Sequence, residues 1–325
     1  MLVLTRSEVA TLLNMEDVIE TVEAAHAALA SGAGRDLAAH LAAPASSALL
    51  ITMAAVVTGG AGGVKVLTDT PDNASRSRPT QQSTIVLVDT STGSCEAFLD
   101  GAMITRYRTA AASAVATNYL ARADAEVLGF VGAGALARTH LLAIRSVRTI
   151  RRAVVWSRSA ETAEEFARHA DAEGMPAEVV RTPEEVVSSC DILCTLTPSL
   201  TPLVRGAWFP PGLHINAVGA PPRRDHREVD TDGIRRSRVV VDSFEAAAQN
   251  SGDVLIPLTE GAISDQHFRD ELGQVIIGAR PGRDGAGEIT LYNSTGIGTQ
   301  DIVTARLVVS AARRAGIGTE IALST

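Results

Sequence analysis

Leu128-Gly129-Phe130-Val131 runs without interruption into Gly132-Ala133-Gly134-Ala135-Leu136-Ala137, an apolar strand that passes through G-x-G-x-x-A into helical sequence. The first two glycines permit a tight turn and a close approach of backbone to a pyrophosphate. Ala137 lets helix and strand pack closely, and the helix N-terminus offers free N–H groups to phosphate oxygens. The motif alone is weak evidence, but the strand before it, the helix after it and a second strand at Ala153–Trp156 supply the context it requires. Gly132, Ala133, Gly134, Ala135, Leu136 and Ala137 are therefore read as a dinucleotide-binding turn.

The end of the second strand reads Val155-Trp156-Ser157-Arg158-Ser159. A carboxylate at this place would hydrogen-bond the ribose hydroxyl of NAD, whereas a guanidinium flanked by hydroxyls can hold a 2′-phosphate. Ser157, Arg158 and Ser159 thus favour NADP(H), with NAD(H) as the alternative.

Working outward, strands alternate with helices. A helix begins near Ala135, another covers Ala160–Ala172, and strands are expected at Ala177–Val180, Ile192–Leu196, Leu213–Val218 and Val239–Val241. That alternation predicts a doubly wound parallel sheet of Rossmann type, hence the α/β class. The region before it differs. Asn14 caps a first helix with Val18, Ile19, Val22, Ala25 and Leu29 at helical spacing. Strands Leu49–Val57, Val64–Thr68, Thr84–Val88 and Cys95–Leu99 follow, the last two joined by a hairpin-like turn at Asp89–Gly93, and an Ala-rich helix covers Thr105–Leu120. A final helix at Thr299–Ala315, with Ile302, Val303, Leu307, Val308 and Ala311 on its apolar side, has no strand after it and should return to the first block. The expected organisation is a discontinuous α+β domain, residues 1–117 and 300–325, around a Rossmann domain, residues 118–299.

Of 29 basic residues, one is lysine and the other 28 are arginine. Lys65 lies in Gly62-Gly63-Val64-Lys65-Val66-Leu67, a strand entered from a turn spanning Gly59 to Gly63. An ammonium loses its proton readily when buried and a guanidinium does not, so a lone lysine on an apolar strand marks a site.

Composition narrows the function classes. With 325 residues and 46% hydrophobic content, the chain is long enough for one large or two ordinary domains. A net charge of −8 and no basic stripe argue against nucleic-acid binding. No apolar run reaches the roughly 18 to 20 residues of a membrane span, and Met1–Arg6 lacks a signal-peptide pattern, so a cytoplasmic protein is expected. Cys95, Cys190 and Cys194 read as reduced thiols, and the seven histidines show no metal-ligand spacing.

Lys65, the run Arg108-Thr109-Ala110-Ala111-Ala112-Ser113-Ala114 and the GAGxxA turn together resemble the ornithine cyclodeaminase and mu-crystallin family. The likeness extends through Asn73, Pro79-Thr80, Asp100-Gly101, Ile215-Asn216-Ala217-Val218-Gly219, Val241-Asp242-Ser243 and Ser294-Thr295-Gly296-Ile297. It implies a substrate-binding and dimerisation domain around a Rossmann domain, and a homodimer. By the same resemblance Lys65 matches the active-site lysine, Arg108 the arginine that grips the substrate carboxylate, and Thr80 a site threonine. Asn216, Val218 and Ser294 to Gly296 match positions near the nicotinamide half of the cofactor, and Thr195 and Gly219 are expected among the cofactor-binding residues.

Two departures refine the expectation. The cyclodeaminases carry an aspartate in a G-x-D-x-P-G-K type loop, which here reads Gly219-Ala220-Pro221-Pro222-Arg223-Arg224-Asp225-His226. Asp225 is the nearest substitute, and the loop looks more like that of the reductases and dehydrogenases. An additional carboxylate-binding arginine of the family has only His40 near its place, at the end of Arg35–His40. The expected function is an NAD(P)H-dependent reductase of a small 2-imino acid, or of a 2-oxo acid plus amine, reversible as an amino-acid dehydrogenase. A cyclodeaminase and a crystallin-like binder of NADP(H) and a small ligand are the alternatives.

Overall fold

In the computed structural model, which describes residues 1–37, 39–42, 48–57 and 60–323, the strand Val127–Val131 lies third in an eight-stranded sheet. The order is 177–179, 152–156, 127–131, 192–195, 214–217, 290–293, 238–241 and 270–271, and every pairing is parallel. Parallel strands need crossovers, which helices such as Ala135–Val147 and Ala160–Ala172 supply. Val131, Val154, Leu193, Ile215, Val241 and Leu291 are buried in one core. The direction of winding reverses between Val127–Val131 and Ile192–Thr195, and such reversals are where open α/β sheets bind ligands. One strand departs from the expected order: Thr290–Asn293 inserts between His214–Ala217 and Arg238–Val241.

The chain divides into two compact units, Met1–Arg108 with Ile297–Thr325, and Thr109–Gly296. The divisions expected at 117/118 and 299/300 fall instead at 108/109 and 296/297. The first lies inside the continuous helix Ala102–Leu120, which no sequence break could mark.

The first unit holds its own sheet, in the order 319–320, 2–4, 95–100, 81–89, 61–69, 49–57 and 34–36, with 40–42 pairing beside 49–57. Its pairings are antiparallel except that Leu2–Leu4 runs parallel to Cys95–Asp100. Side chains alternate along each strand. Ala55, Ile85, Leu87, Ala97 and Leu99 point to one core, and the final helix Gly298–Ala315 covers them with Ile302, Ala305, Val308, Val309 and Ala312. The buried stripe therefore runs through 302, 305, 308 and 312, leaving Val303, Leu307 and Ala311 half-exposed, a rotation from the expected face. The helix is followed, contrary to expectation, by a short strand Thr319–Glu320. Gly59, at the start of the turn expected before Lys65, lies outside the described residues.

The three cysteines are free thiols, with Cys190 and Cys194 buried. Among the described residues no helix is long and apolar enough to cross a membrane, and no group of His, Cys, Asp and Glu is arranged to hold a metal.

Candidate active site

In the first unit, Lys65 sits mid-strand, paired across to Met53 and Ile85, with its side chain fully buried on the face covered by the final helix. Its Nζ donates to Asp301 Oδ2 at 2.5 Å. Arg108 Nε donates to the other oxygen, Asp301 Oδ1, at 3.1 Å, and Arg108 Nη1 donates to Gln300 Oε1 at 2.7 Å. Gln300 Nε2 in turn donates to His26 Nε2 at 2.9 Å. The helix that presents Gln300 and Asp301 is pinned at its start by Asp36, whose Oδ1 accepts from both the backbone N–H and the hydroxyl of Thr299 at 2.7 Å.

The electrostatics follow from burial. Desolvation, joined by the charge of Arg108, pushes the Lys65 ammonium down and Asp301 pulls it back up, so that it falls from 10.5 to about 8. Lys65 can therefore exchange a proton close to neutral pH. A guanidinium carries five N–H donors, and Arg108 spends two on Asp301 and Gln300, leaving an edge for a carboxylate.

Two expected substrate residues do not join this cluster. Cross-strand partners share a sheet face, so pairing of His40 with Thr52, and of Thr52 with Val66, puts His40 on the face opposite Lys65, where it is exposed. Thr80 is exposed at the loop end before the strand Gln81–Asp89, its carbonyl accepting from the Thr70 N–H at 2.7 Å.

In the second unit, the strand Val127–Val131 ends at Gly132 and the helix Ala135–Val147 starts at once, with Gly134 as its cap and no side chain serving the end. Gly132 has φ +105°, and a Cβ there would lie 2.8 Å from the Leu196 carbonyl, so only glycine makes this turn. Nothing lies within 4 Å of a Cβ built on Gly134, Ala135 is exposed, and Ala137 is buried. An open helix N-terminus behind a glycine turn fits the pyrophosphate of a dinucleotide. The Gly132 N–H donates to Trp156 O at 2.9 Å, which fixes the turn beside the segment Ser157-Arg158-Ser159. Arg158 is exposed, while Ser159 caps the next helix by accepting from Thr162 N–H.

The other expected cofactor residues follow the carboxyl ends of the strands. Thr195 closes one strand, Val218 and Gly219 leave the next, and both of their N–H groups donate to Thr195 O, at 3.1 and 3.0 Å. Asn216 is buried and its amide donates to Thr117 Oγ1 at 3.0 Å. Ser294 and Gly296 both donate to Asp242 Oδ2, the Gly296 N–H at 2.5 Å. Asp225, the expected substitute for the cyclodeaminase aspartate, is exposed to 76% and paired with His226 Nδ1 at 2.9 Å. That hydrogen bond holds its carboxyl below the usual range, so it carries no proton at neutral pH.

Three buried carboxylates have no role assigned from the sequence: Asp301, Glu228, and Asp242, which enters only within the family-like run Val241-Asp242-Ser243. The available signal for Asp301 is a charge on the buried side of the final helix, which demands a partner.

The model of the ornithine cyclodeaminase/mu-crystallin family matches residues 1–316. A Delta(1)-pyrroline-2-carboxylate reductase of Bacillus cereus is 36% identical over 332 aligned residues, covering 99% of each chain. Among solved structures, the Thermococcus litoralis Delta(1)-pyrroline-2-carboxylate reductase in complex with NADH and L-proline superposes with a TM-score of 0.95 at 36% identity, covering 99% of this chain and 100% of that one. An archaeal alanine dehydrogenase dimer with bound NAD gives 0.96 at 31% identity, covering 100% and 99%. With the family match running from residue 1 to 316 and the two-unit architecture shared end to end, the chain belongs to the ornithine cyclodeaminase/mu-crystallin family.

Proposed function

We propose that the chain is an NAD(P)H-dependent oxidoreductase that reduces the C=N bond of a small 2-imino acid, or of the imine formed from a 2-oxo acid and an amine, and runs in reverse as an amino-acid dehydrogenase. The observation that carries this is the buried Lys65–Asp301–Arg108 constellation in a chain that also contains a dinucleotide turn. When bound, the nicotinamide dinucleotide supplies the hydride. The free edge of Arg108 pairs with the substrate carboxylate, and Lys65 gives the balancing proton to the imine nitrogen as it becomes an amine. Holding both ends of so small a substrate on rigid elements supplies the orientation that the transfer needs. Asp225 does not suit the donor role, because it is exposed and ionised.

NADPH is the proposed physiological form, on the strength of Arg158; the two related structures hold NADH and NAD. Substrates resembling the proline and alanine of those relatives define the class. A homodimer is proposed through the outer face of the first unit's sheet, where Leu50, Val56 and Phe98 are exposed.

The test is cofactor stoichiometry. With a cyclic 2-imino acid, or pyruvate plus ammonia, one NADPH should disappear per product formed. Conversion of ornithine to proline and ammonia without net cofactor change would make it a cyclodeaminase, and tight binding without turnover would favour the crystallin-like reading.

A further inference from the structure

Glu228 is fully buried in the second unit, and its two oxygens collect four short hydrogen bonds. Oε1 accepts from the Thr197 N–H at 2.6 Å and the Thr197 hydroxyl at 2.7 Å; Oε2 accepts from the Gly219 N–H at 2.6 Å and the Thr195 hydroxyl at 2.7 Å. These donors lie on the segments leaving two adjacent parallel strands, Ile192–Thr195 and His214–Ala217. The carboxylate thus draws the segments so close that a Cβ on Gly219 would lie 2.0 Å from Thr197 N.

Among the described residues no cation pairs with it. Of the basic neighbours, His226 pairs with Asp225, and Arg227 reaches Glu260 at 3.9 Å while its charge also acts on Asp253. What lies beside Glu228 is another buried acid, Asp253, whose Oδ1 accepts from the N–H groups of Glu228 and Val229 at 3.0 Å. Burial and Asp253 push Glu228 up to about 7, but each of its oxygens faces a fixed backbone N–H, which suits the ionised form. A buried charge without a counter-ion is costly, and removing it would relieve that cost unless it serves the site.

We propose that Glu228 is a positioning residue for the nicotinamide half of the cofactor: its carboxylate fixes the Thr195–Thr197 and Gly219 segments, and its uncompensated charge favours the oxidised, cationic ring over the reduced, neutral one. The proposal rests on the cofactor reading above, in which Val218 is expected near the nicotinamide and Thr195 and Gly219 among the cofactor-binding residues. A neutral side chain of the same shape would lose this preference. A merely structural clamp would weaken both cofactor forms alike.

The experiment measures dissociation constants of NADP+ and NADPH without substrate, for the wild type and Glu228→Gln, at a pH of about 8.5, where Glu228 is ionised. The ratio Kd(NADP+)/Kd(NADPH) should rise by about threefold or more in the variant, the scale of a single charge acting through partly polar protein. A smaller change in the ratio, whatever happens to the separate affinities, overturns the proposal. If Glu228→Gln does not fold, Asp253→Asn removes the neighbouring charge instead, and it must move the ratio in the same direction by about twofold. An unchanged ratio there is equally fatal. Wild-type protein that binds neither form fails the cofactor reading itself, and this proposal with it.

Discussion

Asp301 Oδ2 accepts from Lys65 Nζ at 2.5 Å, while its second oxygen accepts from Arg108 Nε at 3.1 Å, so one buried carboxylate serves two cations from different elements. Two positive groups this close and this dry would repel each other and shed a proton. Asp301 offsets part of that, and Lys65 settles near 8 rather than lower. The shared carboxylate also fixes both side chains in place before substrate arrives, leaving each with unused donors.

The pH profile should report this balance. In the reducing direction Lys65 must begin protonated, so kcat/KM should be flat below about 8 and fall above it. In the oxidising direction Lys65 must accept a proton, so the rate should rise through the same range. The same shift affects stability: between about 8 and 10.5 the unfolded chain binds the proton that the folded chain has lost. Stability from this group therefore grows as pH rises through that window and is lost as pH falls to 8. Steady-state rates in both directions from pH 6 to 10 check the sign; parallel limbs would exclude Lys65 as the proton carrier.

Replacing Asp301 with Asn keeps the shape and a hydrogen bond but removes the charge that holds Lys65 up. The alkaline limb of the reducing reaction should move to lower pH by on the order of 1 unit or more, the usual effect of losing an opposite charge at contact distance. Activity should be depressed at pH 8 and largely recovered at pH 6. Loss of activity that is uniform with pH would indicate a packing role alone.

Cofactor preference is checked at Arg158, exposed just after the second strand of the parallel sheet. Arg158→Ala should weaken NADPH by about tenfold or more, the scale of a hydrogen bond to a charged group, and leave NADH nearly unchanged. Equal losses for the two dinucleotides would remove the case for NADPH.

Much of this architecture was legible because the signals are local. Leu128 to Ala137 carries strand, turn and helix in one stretch, and Lys65 stood out by composition. What escaped depends on pairings across the chain. Asp301 lies 236 positions from Lys65, and its role exists only once the final helix lies on that strand. That His40 faces away from Lys65 could not be read, because its face follows from its register with Thr52, and a one-residue choice of register inverts the answer. Thr290–Asn293 is hard to read because a glycine-rich, arginine-bearing stretch from Gly278 to Gly287 precedes it, and its insertion beside His214–Ala217 is set by topology.

The proposed dimer is tested on the outer face of the first sheet. Ala54, Val64, Val86 and Phe98 are successive cross-strand neighbours there, on the side away from the final helix. Phe98 is 44% exposed, so Phe98→Glu costs the monomer little while placing a charge in any interface that covers this row. Light scattering should show the variant dissociated at concentrations where the wild type is dimeric. A variant that stays dimeric would place the interface elsewhere.

Lys65→Arg separates a proton carrier from an ion-pair partner. The variant keeps a positive charge against Asp301, which a purely structural pair would tolerate, but it cannot give up a proton and its planar head is larger than the site around a compact ammonium. The proposed NADPH site is the glycine turn and the carboxyl ends of the other unit's strands, so its dissociation constant should stay within about twofold of wild type, well under the roughly tenfold that 1.4 kcal/mol represents. Reduction should fall by about a hundredfold or more in kcat/KM, the lower range of general acid–base contributions. The alkaline limb should also vanish from what remains, because a guanidinium does not titrate there. Near-normal turnover with that limb intact would show that the only lysine in the chain is dispensable, and the proton would have to come from another group.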